Sequence, residues 1–142
     1  MATRRVLVVD DEPDVVNALA DVLRTMRYTD PLEVEGVSDG AQGLDAILRQ
    51  VPDLVLLDLH MPGLSGLALL KQIRQVAPRL PVIVVTRTKD TSEAAEALRL
   101  GAVAYLPKPF RVRYVETLVA TFLDPGRQPG TQRLPSAPNS RL

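Results

Sequence analysis

The chain of 142 residues contains no cysteine, which excludes disulfides, thiolate catalysis and every cysteine-based zinc site. It contains one histidine, His60, too few for a multi-histidine metal centre. It carries no charge excess, since 17 basic residues balance 17 acidic ones, whereas a dedicated nucleic-acid binder is usually basic. No apolar run approaches the ~18 residues of a membrane span. The N-terminus passes from Arg4 and Arg5 through Val6–Val9 into Asp10 and Asp11, which is not a signal peptide. These absences leave a soluble cytoplasmic protein as the expectation. What is present fits one globular domain: the length is right, and a hydrophobic content of 46% is too high for a disordered chain.

The last stretch differs from the rest. Residues 124–142 hold four of the twelve prolines and two of the eight glycines, with no apolar periodicity. We read them as a flexible tail or linker. Three arginines and one aspartate give this tail +2 and leave residues 1–123 at −2.

Residues 1–123 alternate between two patterns. Val6–Val9, Leu32–Val37, Leu54–Leu57, Val82–Val85 and Val103–Leu106 are short apolar runs bounded by turn residues. Rich in Val and Leu with little alternation, they read as buried strands. Between them apolar residues recur at helical spacing. Val16, Leu19, Leu23 and Met26 follow Pro13, which suits a first helical turn. Leu44, Ile47 and Leu48 follow Ser38-Asp39-Gly40, and Leu67, Leu70 and Ile73 follow Ser65-Gly66. Ala94, Ala97 and Leu98 follow the capping signal Thr91-Ser92-Glu93, and Val115, Leu118, Val119 and Phe122 close the series. Five strands alternating with five helices imply a parallel sheet covered on both faces, with right-handed crossovers.

Ligands of open α/β sheets bind outside the carboxyl ends of the strands. Asp10, Asp11 and Glu12 follow the first strand, Asp58 the third, Thr86 the fourth and Lys108 the fifth. Carboxylates, a hydroxyl and an ammonium thus converge on one rim. Two like charges at 4 Å repel by about 4 kcal/mol at an effective dielectric of ~20. Such a cluster takes up a proton or recruits a cation, and hard oxygen donors without sulfur favour Mg²⁺. The set reads as a phosphoryl-transfer site with a carboxylate nucleophile. Taken singly, each residue has a plainer reading: a turn or cap for Asp10, Asp11 and Thr86, a surface cation for Lys108.

Together these residues resemble a known family. VLVVDDEPD (Val6–Asp14), LVLLDLHMPGLSG (Leu54–Gly66), VIVVT (Val82–Thr86) and AYLPKPF (Ala104–Phe110) are similar to the motifs of receiver domains of two-component response regulators. Asp58, Met61, Pro62 and Gly66 fit the family's phospho-acceptor pattern. The resemblance implies a flavodoxin-like (βα)5 fold with strand order 2-1-3-4-5. It implies that Asp58 accepts a phosphoryl group from a histidine kinase or phosphotransfer protein. It implies that Asp10, Asp11, Asp58 and the backbone carbonyl of His60 hold Mg²⁺, Asp10 directly or through water. Thr86 and Lys108 would bind phosphoryl oxygens, and the Lys108–Pro109 bond would be cis. Tyr105 stands at the switch aromatic and would turn inward as Thr86 moves, although by sequence alone a half-buried core aromatic is the plainer reading. The output face would be the fourth helix, fifth strand and fifth helix, about Thr91 to Leu123, with a phosphorylation-dependent homodimer as one use of it.

Some features depart from the family. Tyr28-Thr29-Asp30-Pro31 lengthens the first helix-to-strand connection. Arg87 replaces a residue that is usually small. His60 and Thr88 occupy positions that tune phosphoryl lifetime. Arg87 would either reach over the aspartyl phosphate or pair with Asp90 or Glu93. Two other classes fit less well. A Mg²⁺-dependent phosphohydrolase of the haloacid-dehalogenase type wants Asp-x-Asp after its first strand and a cap domain, and this chain has Asp10-Asp11-Glu12. A flavodoxin wants a hydroxyl- and glycine-rich phosphate loop where this chain places two aspartates. No effector domain is expected in the tail, so the chain is a stand-alone receiver, a phosphorelay intermediate or a receiver excised from a larger regulator. On this reading it is not an enzyme beyond its own phosphorylation and dephosphorylation.

Overall fold

The computed structural model describes residues 3–26, 31–61, 63, 65–87 and 91–123. The tail read at 124–142 lies outside them, as do Tyr28, Thr29, Asp30, Pro62, Thr88 and Asp90.

The elements alternate in chain order as β1 (Arg4–Val9), α1 (Pro13–Thr25), β2 (Leu32–Val37), α2 (Gly40–Arg49), β3 (Leu54–Asp58), α3 (Gly66–Val76), β4 (Val82–Arg87), α4 (Thr91–Arg99), β5 (Ala104–Lys108) and α5 (Val112–Leu123). The five strands form one sheet in the order β2-β1-β3-β4-β5, and every neighbouring pair is parallel. Two features of the sequence produce this. Runs of Val, Leu and Ile suit a pleated surface buried on both sides. Local signals start several of the helices: Pro13 opens α1, Asp39 accepts from Gln42 N at 2.8 Å, and Ser65 accepts from Ala68 N at 3.1 Å.

Successive strand residues point to opposite faces, and the sheet divides the core in two. Leu7, Val9, Val55, Leu57, Val82 and Val84 pack with Ile47 of α2, Leu69, Leu70 and Ile73 of α3 and Ala97 of α4. Val6, Val8, Leu54, Leu56, Ile83 and Val85 pack with Leu19 and Leu23 of α1 and Val115, Val119 and Leu123 of α5. Burial of this kind contributes roughly 1.5–3 kcal/mol for each large aliphatic side chain.

Three expectations need correction. Only β1, β3 and β4 are largely buried strands; β2 and β5 are sheet edges and are half-buried. An edge strand has a neighbour on one side only, so Glu33 and Glu35 sit within β2 at no great desolvation cost. Leu48 and Leu98, counted in the apolar stripes of α2 and α4, are exposed. The strands also run on to include Asp58, Thr86 and Lys108. Polar residues end the apolar runs, but the ladder continues through backbone bonds that ignore side-chain chemistry.

Candidate functional site

The carboxyl ends of β1, β3, β4 and β5 meet in register. Asp58 lies beside Val85, Thr86 beside Pro107 and Arg87 beside Lys108. Asp10 N donates to Val37 O at 3.0 Å and Leu59 N to Val85 O at 3.0 Å, which ties the two loops that follow β1 and β3 to the sheet. The Lys108–Pro109 bond is cis, as expected.

Asp10, Asp58 and Thr86 are the polar residues buried here, each 2% exposed. One oxygen from each of Asp10, Asp11 and Asp58 lies within 4.8 Å of the others. The backbone holds the buried pair: Asp10 Oδ1 accepts from Glu12 N at 2.9 Å, and Asp58 Oδ1 accepts from His60 N at 3.0 Å. Their other oxygens face the Lys108 ammonium, at 3.2 Å for Asp10 and 3.7 Å for Asp58. A third carboxylate, Glu12, takes Lys108 Nζ at 3.0 Å.

The electrostatics follow from this burial. Desolvation pushes the Asp10 carboxyl up; the Glu12 N–H and Lys108 oppose it only in part, and the Asp58 charge adds to it. Desolvation likewise pushes Asp58 up against the His60 N–H and Lys108, with Asp11 adding its own repulsion. Burial works against a charged Lys108, but its bond to Glu12 and the charges of Asp58 and Asp10 outweigh that and raise it. The bond from Lys108 lowers Glu12. One ammonium therefore leaves the buried carboxylates short of positive charge. Thr86 adds a second sign of a missing partner: its Oγ1 is buried and has no hydrogen-bond partner among the described residues. An all-oxygen donor set that lacks cation fits Mg²⁺, and an orphaned hydroxyl beside it fits an oxyanion.

Residues 6–120 match the family described as the response regulator receiver domain. The chain belongs to that family. Relatives of this receiver include the DNA-binding transcriptional regulator NtrC of Escherichia coli K12, 48% identical over 81 residues, covering 57% of this chain and 17% of NtrC. The transcriptional regulatory protein BaeR of E. coli O6:H1 is 37% identical over 121 residues, covering 85% of this chain and 48% of BaeR. The chain thus spans less than half the length of these relatives. Among solved structures, the receiver domain of NtrX from Brucella abortus superposes with a TM-score of 0.77 at 33% identity, covering 84% of this chain and 98% of that one. A receiver domain protein from Clostridium thermocellum does so with a TM-score of 0.77 at 28% identity, over 87% and 97%. The fold is the flavodoxin-like one that these receivers share, and this receiver is a module of two-component signalling. An acidic pocket for Mg²⁺ is typical of the family, and Asp10, Asp11 and Asp58 form an acidic cluster here. No helix among the described residues is long and apolar enough to cross a membrane.

The receiver brings its sequence-derived site residues together with the exception of Tyr105, which lies on β5 at 38% exposure and does not line the cavity at Asp58. A cavity of about 90 Å³ is walled by Asp11, Glu12, Asp58, His60, Arg87 and Lys108. Arg87 has an exposed side chain and makes no ion pair among the described residues. Of its two expected partners, Asp90 lies outside the described residues. Glu93 pairs instead with His60, Oε1 against Nε2. Two contacts are not foreseen from the sequence. Glu12 belongs to the acidic run, but its grip on Lys108 joins residues 96 positions apart. Its place before Pro13 is the available signal: Glu12 caps α1 by position but makes no side-chain cap bond, because its carboxylate is turned to Lys108. The His60–Glu93 pair has no local signal at all.

Proposed function

We propose that this receiver accepts a phosphoryl group on Asp58 from a sensor histidine kinase or phosphotransfer protein and thereby switches a protein-binding surface. The observation that carries the reading is the placement of Asp58, buried, with one oxygen fixed by the His60 N–H and the other open toward Lys108. In the transfer, a carboxylate oxygen of Asp58 forms a bond to phosphorus as the bond to the donor's imidazole nitrogen breaks, and the electron pair returns to the imidazole. The product adds about 1.5–2 negative charges to a rim already short of cation. Lys108 compensates part of that charge, and the Thr86 hydroxyl donates to a phosphoryl oxygen. Asp10, Asp11, Asp58 and the His60 carbonyl would hold Mg²⁺, which would supply the remaining electrostatic stabilisation when bound. Arg87 reaches over the phosphoryl group and slows its hydrolysis.

The switch follows from packing. Drawing Thr86 toward the phosphoryl group vacates space beside β5 that Tyr105 fills, a two-state element biased by a local charge event. The surface that changes is α4, β5 and α5, where Tyr105, Leu98, Val112 and Tyr114 are exposed apolar residues. It binds a downstream protein or a second copy of the chain. Residues 1–123 are the receiver unit and 124–142 a linker or tail, in a cytoplasmic protein that makes no direct contact with nucleic acid through this domain. Beyond accepting and losing its own phosphoryl group the domain is not an enzyme.

The test is intact-mass measurement after incubation with acetyl phosphate. One added phosphoryl group is expected with Mg²⁺ and none in excess chelator or in Asp58→Asn. Undiminished labelling of Asp58→Asn would overturn the assignment, and multiple turnover of the donor would favour a phosphohydrolase.

A further inference from the structure

Pro107 stands where the sheet calls for an N–H. Just before β5, Val103 N donates to Val82 O at 2.9 Å, and the register from Ile83–Ala104 to Arg87–Lys108 keeps the same offset. Backbone groups alternate sides along a strand, so the nitrogens of Val103, Tyr105 and Pro107 face β4. The other strand agrees. Val85 O accepts from Leu59 N at 3.0 Å, on the β3 side, which turns the next carbonyl, that of Thr86, toward β5. Thr86 and Pro107 are register partners. Proline has no N–H, so the ladder bond due at Thr86 O is missing. A proline in an edge strand ordinarily turns its nitrogen to solvent, where no bond is lost. β5 is an edge strand, yet Pro107 turns its nitrogen inward. The hydroxyl of the same Thr86 is buried without a partner among the described residues. Thr86 thus lacks a bond at its side chain and a ladder bond at its carbonyl.

We propose that Pro107 is a positioning residue for Thr86: by withholding a ladder bond, it leaves the end of β4 free to carry Thr86 toward the phosphoryl group without breaking a contact to β5. The proposal rests on the reading of Asp58 as the acceptor and of Thr86 as the residue that moves. An N–H at position 107 would bond Thr86 O in the resting position, and displacement of Thr86 would break that bond. One ordinary hydrogen bond shifts an equilibrium about fivefold. Proline removes this advantage of the resting position, so charge arriving at Asp58 meets less resistance. The loss is confined to the end of the strand that carries Thr86. One step earlier, Tyr105 has an N–H and stands opposite Val84, so the rest of β4 stays tied. Pro107 therefore loosens one residue of the sheet and leaves its neighbours in register.

The experiment uses Pro107→Val and Pro107→Ala in the full chain. Both restore the N–H, and they differ in side chain. The first measurement is amide exchange at residue 107 itself. Its N–H is expected to be protected in the resting variants and to lose protection when beryllofluoride and Mg²⁺ are added. The second is a beryllofluoride titration at fixed pH and Mg²⁺, read by amide exchange in α4. Half of the response is expected at about fivefold more beryllofluoride in both variants than in the wild type. An unprotected amide at residue 107 in the resting variants overturns the proposal, because the bond is then not made. A wild-type midpoint in both variants overturns it too. A shift in one variant alone assigns the effect to the side chain and likewise overturns it. If one variant fails to fold, the other carries both measurements. A wild type that neither labels at Asp58 with acetyl phosphate nor responds to beryllofluoride overturns the functional reading and the proposal with it. A wild type that labels and responds, beside variants that behave in the same way, overturns the proposal alone.

Discussion

The Lys108 ammonium lies 3.7 Å from Asp58 Oδ2, nearer than a solvent-separated pair and looser than a direct bond. It is held there by Asp10 at 3.2 Å and Glu12 at 3.0 Å. Lys108→Ala removes the cation shared by all three carboxylates. Breaking a buried pair costs about 3–5 kcal/mol, but Lys108 is partly exposed and the carboxylates can bind protons, so a loss of about 1–2 kcal/mol is expected with the fold intact. Chemical denaturation measures the loss. Labelling by acetyl phosphate should be slower, and the amide-exchange response to beryllofluoride should be weaker. A variant that labels and responds like the wild type would return Lys108 to an ordinary surface role.

The raised pKa values of Asp10 and Asp58 fix a sign for the pH dependence. A carboxyl whose pKa is raised on folding binds more protons in the folded state than in the unfolded one. Between the unfolded and folded pKa values, stability therefore falls as pH rises. These two groups should make the metal-free protein more stable as the pH drops from neutral toward the upper carboxylate range. Asp58→Asn should raise the melting temperature at neutral pH in chelator, flatten that dependence and reduce the stabilisation that Mg²⁺ gives the wild type. Thermal melts with and without Mg²⁺ at several pH values test all three. A lower melting temperature for Asp58→Asn in chelator would contradict the assignment of repulsion.

Gly66 begins α3 against the backbone of the acceptor strand. A Cβ placed on it would stand 2.6 Å from Leu59 Cα and 2.7 Å from the Asp58 carbonyl oxygen. Neither is the end of a flexible side chain, so α3 itself must move. Gly66→Ala should cost about 1–3 kcal/mol, the usual range for overpacking, and should slow phosphorylation because the Asp58 backbone shifts with it. Denaturation and labelling rates check the two effects together.

Arg87 is exposed, lies in the wall of the acceptor cavity and pairs with no carboxylate among the described residues. Arg87→Ala should change stability by no more than about 0.5 kcal/mol. It should nonetheless shorten the life of the phosphorylated form at fixed pH and Mg²⁺. An unchanged rate would leave Arg87 as a surface residue, and a slower one would mean that its guanidinium assists hydrolysis.

Phosphorylation should change amide exchange in α4, β5 and α5 before it changes α1 or α2. Comparison with and without beryllofluoride reads this directly. Changes confined to α1 would count against the proposed output face.

Most of the architecture is legible in the sequence because it rests on period and punctuation. The apolar runs mark the strands, Pro13, Asp39 and Ser65 mark helix starts, and the parallel direction of the strands follows from the alternation, while their order comes from the family resemblance. The rim at Asp10, Asp11, Asp58, Thr86 and Lys108 is legible because parallel strands all end on one side. Edge position is not visible in β2 or β5, because a run of Leu and Val reads alike in the middle of a sheet and at its side. The partners of Lys108 and His60 are not legible either. Contacts between Glu12 and Lys108, or His60 and Glu93, depend on where separate loops come to rest. No local pattern of residues records that.

The helix α4 enters the core through Ala94 and Ala97, whereas α3 enters it through Leu69, Leu70 and Ile73. A buried methyl-sized group contributes about 0.8 kcal/mol, against roughly 1.5–3 kcal/mol for a large aliphatic side chain. Heat capacity changes track the apolar area uncovered. Displacing α4 uncovers little, so its shift carries a small heat capacity change, while unfolding of the whole domain carries a large one. A displacement of α4 should therefore have a free energy that changes along a nearly straight line with temperature, even as the stability of the domain around it follows a curve.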